Sequence, residues 1–256
     1  MWNFHPSFNH RVNYFRKNMS KKKAKVKPVG DIRKHRRVID TFTGPIERPV
    51  LRWMAEHMPT WVTPDFMTAV GVLGALIVAA SYWLSSFNPN FLWLASFGFF
   101  VNCVGDSLDG TIARVRKIER PLYGFFIDHI VDAATEVMII LGLGLSPYVR
   151  FDLACLGLIG YLMLSVLVYL RTCVKGEFQL SYVGLGPTEA RLIVMSANTL
   201  IYFIGNPLLT LLSLTMTVYD WIVVGMILLM LGIFLGSSIN QARILAAIDA
   251  VRKEQP

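Results

Sequence analysis

The stretch "NFLWLASFGFFVNCVGDSLDGTIARVRKIERPLYGFFIDHIVDAATEVMIILGLGL", residues 90–145, decides how the chain is read. Its two ends are apolar runs of membrane-spanning length, and its middle holds Asp106, Asp109, Asp128, Asp132 and Glu136 around a basic connection. A bilayer helix needs about 20 mostly apolar residues, so 90–113 and 121–145 read as consecutive spans joined by a short loop. Acids inside such segments are expensive, which makes them a functional signal rather than ornament.

The rest of the chain extends this pattern. Of 256 residues, 54% are hydrophobic and 16% charged, against about 25% charged in ordinary soluble domains. Further apolar segments lie at 66–84, 153–170, 188–218 and 221–239, the fifth interrupted by "GNP" at 205–207. The composition therefore predicts an all-α integral membrane protein with six transmembrane helices.

Charge sets the orientation. The whole chain carries +8, but residues 1–52 hold 14 Lys and Arg against Asp31, Asp40 and Glu47, leaving the remainder net negative. Arg114, Arg116, Lys117 and Arg120 fall between spans two and three, Arg171, Lys175 and Arg191 between four and five, and Arg243, Arg252 and Lys253 after six. The alternate loops are nearly free of positive charge, so the positive-inside rule puts both termini in the cytoplasm. The stretch 44–58 reads as an amphipathic helix on the membrane surface, and the polybasic tail before it as a topology signal or a contact for anionic lipid. This gives a basic tail with interfacial helix at 1–60, a six-span domain at 61–248 and a short cytoplasmic tail at 249–256. No nucleic-acid partner is expected. Cys103, Cys155 and Cys173 show no CxxC pair and read as packing residues.

Helical spacing carries the chemistry. Residues three or four apart share a face, so Asp106 and Asp109 point together, as do Asp128 and Asp132. Two antiparallel neighbours would bring all four carboxylates to one depth near the cytoplasmic surface. Four converged carboxylates repel one another and require a cation, and an all-oxygen ligand set favours Mg²⁺, Mn²⁺ or Ca²⁺ over zinc. Gly110 and Gly124 leave room for a ligand or a close helix contact, and Ala113 and Arg114 continue the Asp106 face. Arg114 beside such a cluster suggests an anionic substrate and metal-assisted phosphoryl transfer. An ion path through the membrane and a structural salt-bridge cluster are the competing readings.

The spacing Asp106-x2-Asp109-Gly110-x2-Ala113-Arg114-x9-Gly124-x3-Asp128-x3-Asp132 resembles the signature of the CDP-alcohol phosphotransferase family. The resemblance implies a membrane-embedded homodimer that moves a phospho-alcohol unit from a CDP-linked donor to an acceptor hydroxyl and releases CMP. It further implies that the four aspartates hold one or two Mg²⁺ or Mn²⁺ ions on the donor pyrophosphate. Asp109, Gly110, Ala113, Arg114 and Gly124 would contact the CDP part, and Asp132 would act as general base.

Other residues bear on the substrate. Arg171, Glu189 and Arg191 are candidates for the acceptor pocket, with positive-inside charge and helix capping as simpler readings. "GPTE" at 186–189 is similar to a short element of choline and ethanolamine phosphotransferases. Glu136 and His129 read as helix-contact and packing residues, and Asp65 stands where the family commonly has Asn. The expected reaction joins CDP-diacylglycerol and a small polar alcohol; a CDP-choline or CDP-ethanolamine donor acting on diacylglycerol, and a divalent-cation transporter, are the alternatives.

Overall fold

A computed structural model describes residues 43–175, 187–211 and 213–253, with the side chains of 172–175 and 247–253 outside that description. The polybasic tail, the side chains of Cys173 and Lys175, and Gly186 of the "GPTE" element fall outside the described residues. The elements in order are α1 (Gly44–His57), α2 (Pro64–Leu84), α3 (Phe91–Val115), α4 (Pro121–Gly144), α5 (Phe151–Lys175), α6 (Pro187–Ile204), β1 (Leu208–Leu211), β2 (Leu214–Thr217) and α7 (Val218–Lys253).

Local chemistry fixes the helix ends. Proline opens α2, α4 and α6, where a missing N–H costs nothing. Thr63 caps α2 by accepting from the Phe66 N–H at 3.2 Å, while Asp65 pairs with Arg120 of the α3–α4 connection. Thr217 and Asp220 form a reciprocal capping box on α7, at 3.1 and 3.3 Å. Helix α3 ends in a Schellman turn: Ile118 N–H reaches Ala113 O at 3.0 Å, and Lys117 takes φ 56°.

Among the described residues four helices, α2, α3, α5 and α7, are long and apolar enough to cross a membrane, and the protein is an integral membrane protein. Many large apolar side chains are exposed, among them Leu73, Phe97, Phe126, Leu228 and Leu229. The expectation of a wholly α fold needs correction after residue 204. Gly205 leaves the helix at φ +79°, Pro207 offers no N–H, and an antiparallel hairpin pairs Leu208 with Thr217 and Leu211 with Leu214. Thr210 and Thr215 face each other across it, 2.9 Å between hydroxyls. Apolar composition made this segment read as part of span five, with Gly-Asn-Pro as a kink or a break, whereas the helix stops there and the threonines beyond it favour strands.

Helix α2 is the spine. It packs most extensively on α3 and next on α4, while α6 lies on α3, α5 on α4 and α7 on α5. Spans two and three were expected to be direct neighbours. Among the described residues their backbones instead make little contact, and both lean on α2. The α2–α3 crossing is close because it is built from glycine: a Cβ at Gly74 would fall 2.4 Å from Asn102 N, and one at Gly105 would fall 2.4 Å from Gly71 N. Likewise a Cβ on Gly142 of α4 would meet Ala79 Cα at 2.5 Å.

Two apolar clusters bracket this crossing. One joins Ala75, Val78, Tyr82, Leu92, Ala95, Phe99, Ile139 and Ile201; the other joins Ala55, Val62, Met67, Leu108 and Ile112. The polar positions between them on α2 and α3 include Thr68, Asn102 and Asp106.

Helix α1 is pinned at both ends. Arg116 closes its C-terminal turn by donating to the carbonyls of Met58 (2.9 Å), Pro59 (2.9 Å) and Val62 (2.6 Å). At the other end Glu189 Oε1 accepts from Thr43 N (2.9 Å) and Thr43 Oγ1 (2.8 Å). Glu47 then takes the hydroxyls of Ser107 and Thr188, each at 3.2 Å.

The glycine crossing yields a direct test. Gly74→Val should lower the unfolding free energy by about 2–3 kcal/mol in detergent, as overpacking does. Gly232→Ala on α7, where nothing beyond its own stretch of helix lies within 4 Å of the new Cβ, should not lower the unfolding temperature.

Candidate active site

The gap between α3 and α4 is where the acids meet. Asp106 from α3 and Asp128 and Asp132 from α4 each offer a carboxylate oxygen, and the three oxygens lie within 4.8 Å of one another. The helix period explains the meeting: 128 and 132 are one turn apart on one face, and α2 holds that face opposite Asp106. Asp109 lines the same cavity, with its carboxylate accepting from Thr68 Oγ1 at 2.7 Å and from the Gly110 N–H. Gly71, Asn102, Val131 and Thr135 complete the lining.

The surroundings partly neutralise the cluster. Arg191 Nη2 reaches Asp106 Oδ2 at 2.9 Å, and the arginine side chain is only 13% exposed, so one positive charge is built into the site. Its Nη1 is buried with no hydrogen-bond partner among the described residues. One guanidinium does not balance three adjacent carboxylates, and every ligand-type atom in the trio is a hard oxygen. The donor set fits a divalent ion such as Mg²⁺ or Mn²⁺, which would be held by Asp106, Asp128 and Asp132.

The remaining expected residues occupy defined places. Arg114 is exposed and folds along its own helix, with Nη2 donating to Thr111 Oγ1 at 3.0 Å and Nη1 lying 3.2 Å from where a Gly110 Cβ would sit. Gly124 is exposed with nothing within 4 Å of its Cβ position, so it lines open space rather than a helix contact. Ala113 is half-buried on the same helix, and Arg171 stands on α5 outside the cavity lining. Glu189 is turned to Thr43 rather than into the cavity, so it caps a different helix from its own. His129 stacks on Phe125 at 4.1 Å and Tyr169 at 5.2 Å, with Nδ1 2.8 Å from Phe125 O, as a packing residue would.

Thr68, Asn102 and Thr135 belong to the cavity without having been singled out in the sequence. Asn102 carried a readable signal, since it lies one turn before Asp106 in an otherwise apolar run.

Residues 61–238 match the family described as CDP-alcohol phosphatidyltransferase. The chain is 25% identical to cholinephosphotransferase 1 of Danio rerio over 155 residues, which is 56% of this chain and 39% of that protein. It is 31% identical over 105 residues to archaetidylinositol phosphate synthase of Pyrococcus horikoshii, covering 41% of this chain and 52% of the relative. A CDP-diacylglycerol-serine O-phosphatidyltransferase of Encephalitozoon cuniculi is 32% identical over 193 residues, 70% of this chain and 49% of that protein. The chain thus spans about half or less of the length of these curated relatives.

The Arg191–Asp106 pair makes a measurable commitment. Arg191→Met leaves Asp106 without its counter-charge, and breaking a buried pair costs roughly 3 kcal/mol. The variant should therefore melt lower than the wild type in EDTA, and added Mg²⁺ should raise its Tm more than it raises the wild type's.

Proposed function

The chain belongs to the CDP-alcohol phosphatidyltransferase family, and from that premise we propose that it is a metal-dependent transferase of phospholipid synthesis. It would pass a phosphatidyl group from CDP-diacylglycerol to a small polar alcohol and release CMP. The observation that carries this reading is the convergence of Asp106, Asp128 and Asp132 beside Arg191, on the side of the bundle where α3 ends and α4 begins.

Each residue then has a task. Asp106, Asp109, Asp128 and Asp132 would hold one or two divalent ions, which would offset the pyrophosphate charge and improve CMP as a leaving group. Gly110, Ala113 and Gly124 leave space for the cytidine part, and Arg114, exposed beside Gly110, swings onto phosphate oxygen. Asp132 accepts the proton of the acceptor hydroxyl as its oxygen bonds to the lipid-bearing phosphorus. The bond from that phosphorus to the CMP oxygen breaks, and CMP departs. Arg171 and Arg191 are assigned to the acceptor side; Glu189 contributes there by fixing α1 and the start of α6.

The membrane arrangement follows from where charge is turned. Helices α4 and α6 are 24 and 18 residues long, and the charges that set them apart from α2, α3, α5 and α7 are Asp128, Asp132, Glu136, Glu189 and Arg191. With those side chains inward, both helices present apolar surface to lipid, giving six spans with both termini and the site facing the cytoplasm. Helix α1 lies along that surface, with exposed Ile46, Val50 and Trp53 toward the acyl chains. A homodimer is the family expectation.

A CDP-choline or CDP-ethanolamine donor acting on diacylglycerol is the second reading, favoured by the similarity to cholinephosphotransferase 1 of Danio rerio. Cation transport is the weaker fit, because a transport path needs acids near the membrane middle whereas these gather at one end of the bundle.

Purified protein in detergent should release CMP from CDP-diacylglycerol with one member of a panel of alcohols, or from CDP-choline or CDP-ethanolamine with diacylglycerol. Chelation should abolish release and Mg²⁺ or Mn²⁺ restore it. Asp106→Asn, Asp109→Asn, Asp128→Asn and Asp132→Asn should each lose at least about 100-fold in rate while inserting and folding normally. Full turnover by any one of them would remove that residue from the machinery, and metal flux without CMP would favour the transporter.

A further inference from the structure

Asn102 lies at the glycine crossing of α2 and α3, 2% exposed, and lines the acidic cavity one turn below Asp106. Its Oδ1 is buried and has no hydrogen-bond partner among the described residues. An unsatisfied buried acceptor costs about 1–3 kcal/mol, so its retention beside a ligand cavity calls for an occupant.

The orientation of the amide is set by its neighbour. Nδ2 donates to Gly71 O at 2.9 Å, and a flipped amide would bring Oδ1 against that carbonyl, acceptor against acceptor. Nor can the residue withdraw, because the Gly74 position is already 2.4 Å from Asn102 N when given a Cβ. The hydroxyls around the cavity are committed too. Thr68 donates to Asp109 at 2.7 Å, and Thr135 donates to Asp132 O at 3.0 Å. The polar part of the lining, beside Gly71 and Val131, is therefore rich in oxygen: carboxylates, hydroxyl lone pairs and one amide carbonyl. Such a wall attracts a cation.

We propose that Asn102 Oδ1 is a neutral oxygen ligand of the divalent ion held by Asp106, Asp128 and Asp132, closing its coordination on the membrane-interior side. This rests on the reading of the aspartate cluster as a metal site. An amide oxygen suits the role because hard ions take side-chain carbonyl ligands readily. It also adds a ligand without adding a further negative charge to a cavity already lined by four aspartates.

The test is direct Mn²⁺ binding to the full chain in detergent, without nucleotide or lipid, followed by the loss of the free-ion EPR signal. Asn102→Leu keeps the size and removes the oxygen; it should bind Mn²⁺ about tenfold more weakly than the wild type, with unchanged helical CD. Asn102→Asp also gives up the bond to Gly71 O but restores an oxygen and adds charge, and should bind at least as tightly as wild type. If the Asn102 amide serves only to hold Gly71, both variants should weaken alike, which would overturn the proposal. Should Asn102→Leu fail to fold, Asn102→Ala removes the oxygen without filling the crossing and is expected to show the same loss. Wild-type affinity in folded Asn102→Leu or Asn102→Ala, with binding lost in Asp106→Asn, would overturn this inference alone. A wild-type protein that binds no Mn²⁺ would overturn the metal reading of the cluster along with it.

Discussion

The structure depends on the close approach that glycine permits to α2. With Gly74 against Gly98 and Asn102, and Gly105 against Gly71, two backbones meet so closely that a Cβ at Gly74, Gly98 or Gly105 would collide. On another flank Ala79 takes the backbone of α4 at Gly142. Helices in lipid gain little from hydrophobic association, because the acyl chains are as apolar as the side chains, so contact area and backbone proximity must supply the adhesion. One helix thereby holds two others at fixed depth and rotation while keeping them apart.

That separation is what the acids require. If α3 and α4 packed directly on each other, their carboxylates would be forced into a dry interface with no room for a counter-ion, at a cost of several kcal/mol per charge. Held apart on α2, they face a cavity that a cation can enter. Arg191 brings a single opposing charge from α6, and α6 is itself bound through Thr188 and Glu189 to the start of α1. Glu47 of α1 returns to Ser107, the neighbour of Asp106. Helix α1, the arginine helix and the aspartate helix are therefore one hydrogen-bonded unit, and Arg116 closes it at the far end of α1.

Much of the site was legible because the α-helix has a fixed period. Asp106, Asp128 and Asp132 can be assigned to facing stripes from spacing alone, and they do meet. The path by which they meet was not legible: a short loop argues for adjacent helices, and nothing local to 105–136 announces that α2 intervenes. The glycines singled out in the sequence, 110 and 124, lie beside open space or a flexible side chain, whereas those that set the packing lie in apolar runs where glycine looks unremarkable. Arg116 read as one more positive charge in a cytoplasmic loop, yet its guanidinium is spent on carbonyl oxygens. The hairpin after Gly205 was hidden for the opposite reason, since a run of apolar residues and hydroxyl side chains satisfies a helix and a strand pair equally until the Gly-Asn-Pro break is given its full weight. Glu189 illustrates a general limit: sequence can propose that an acid caps a helix, but not that the helix is another one.

The central claim is that these aspartates form a cation site rather than a network locked by arginine. Its most direct test is a structure determined with Mn²⁺ by anomalous diffraction. The account predicts a manganese peak at ligand distance from oxygens of Asp106, Asp128 and Asp132. A manganese-saturated structure with no peak there, and Arg191 as the sole partner of the cluster, would contradict it.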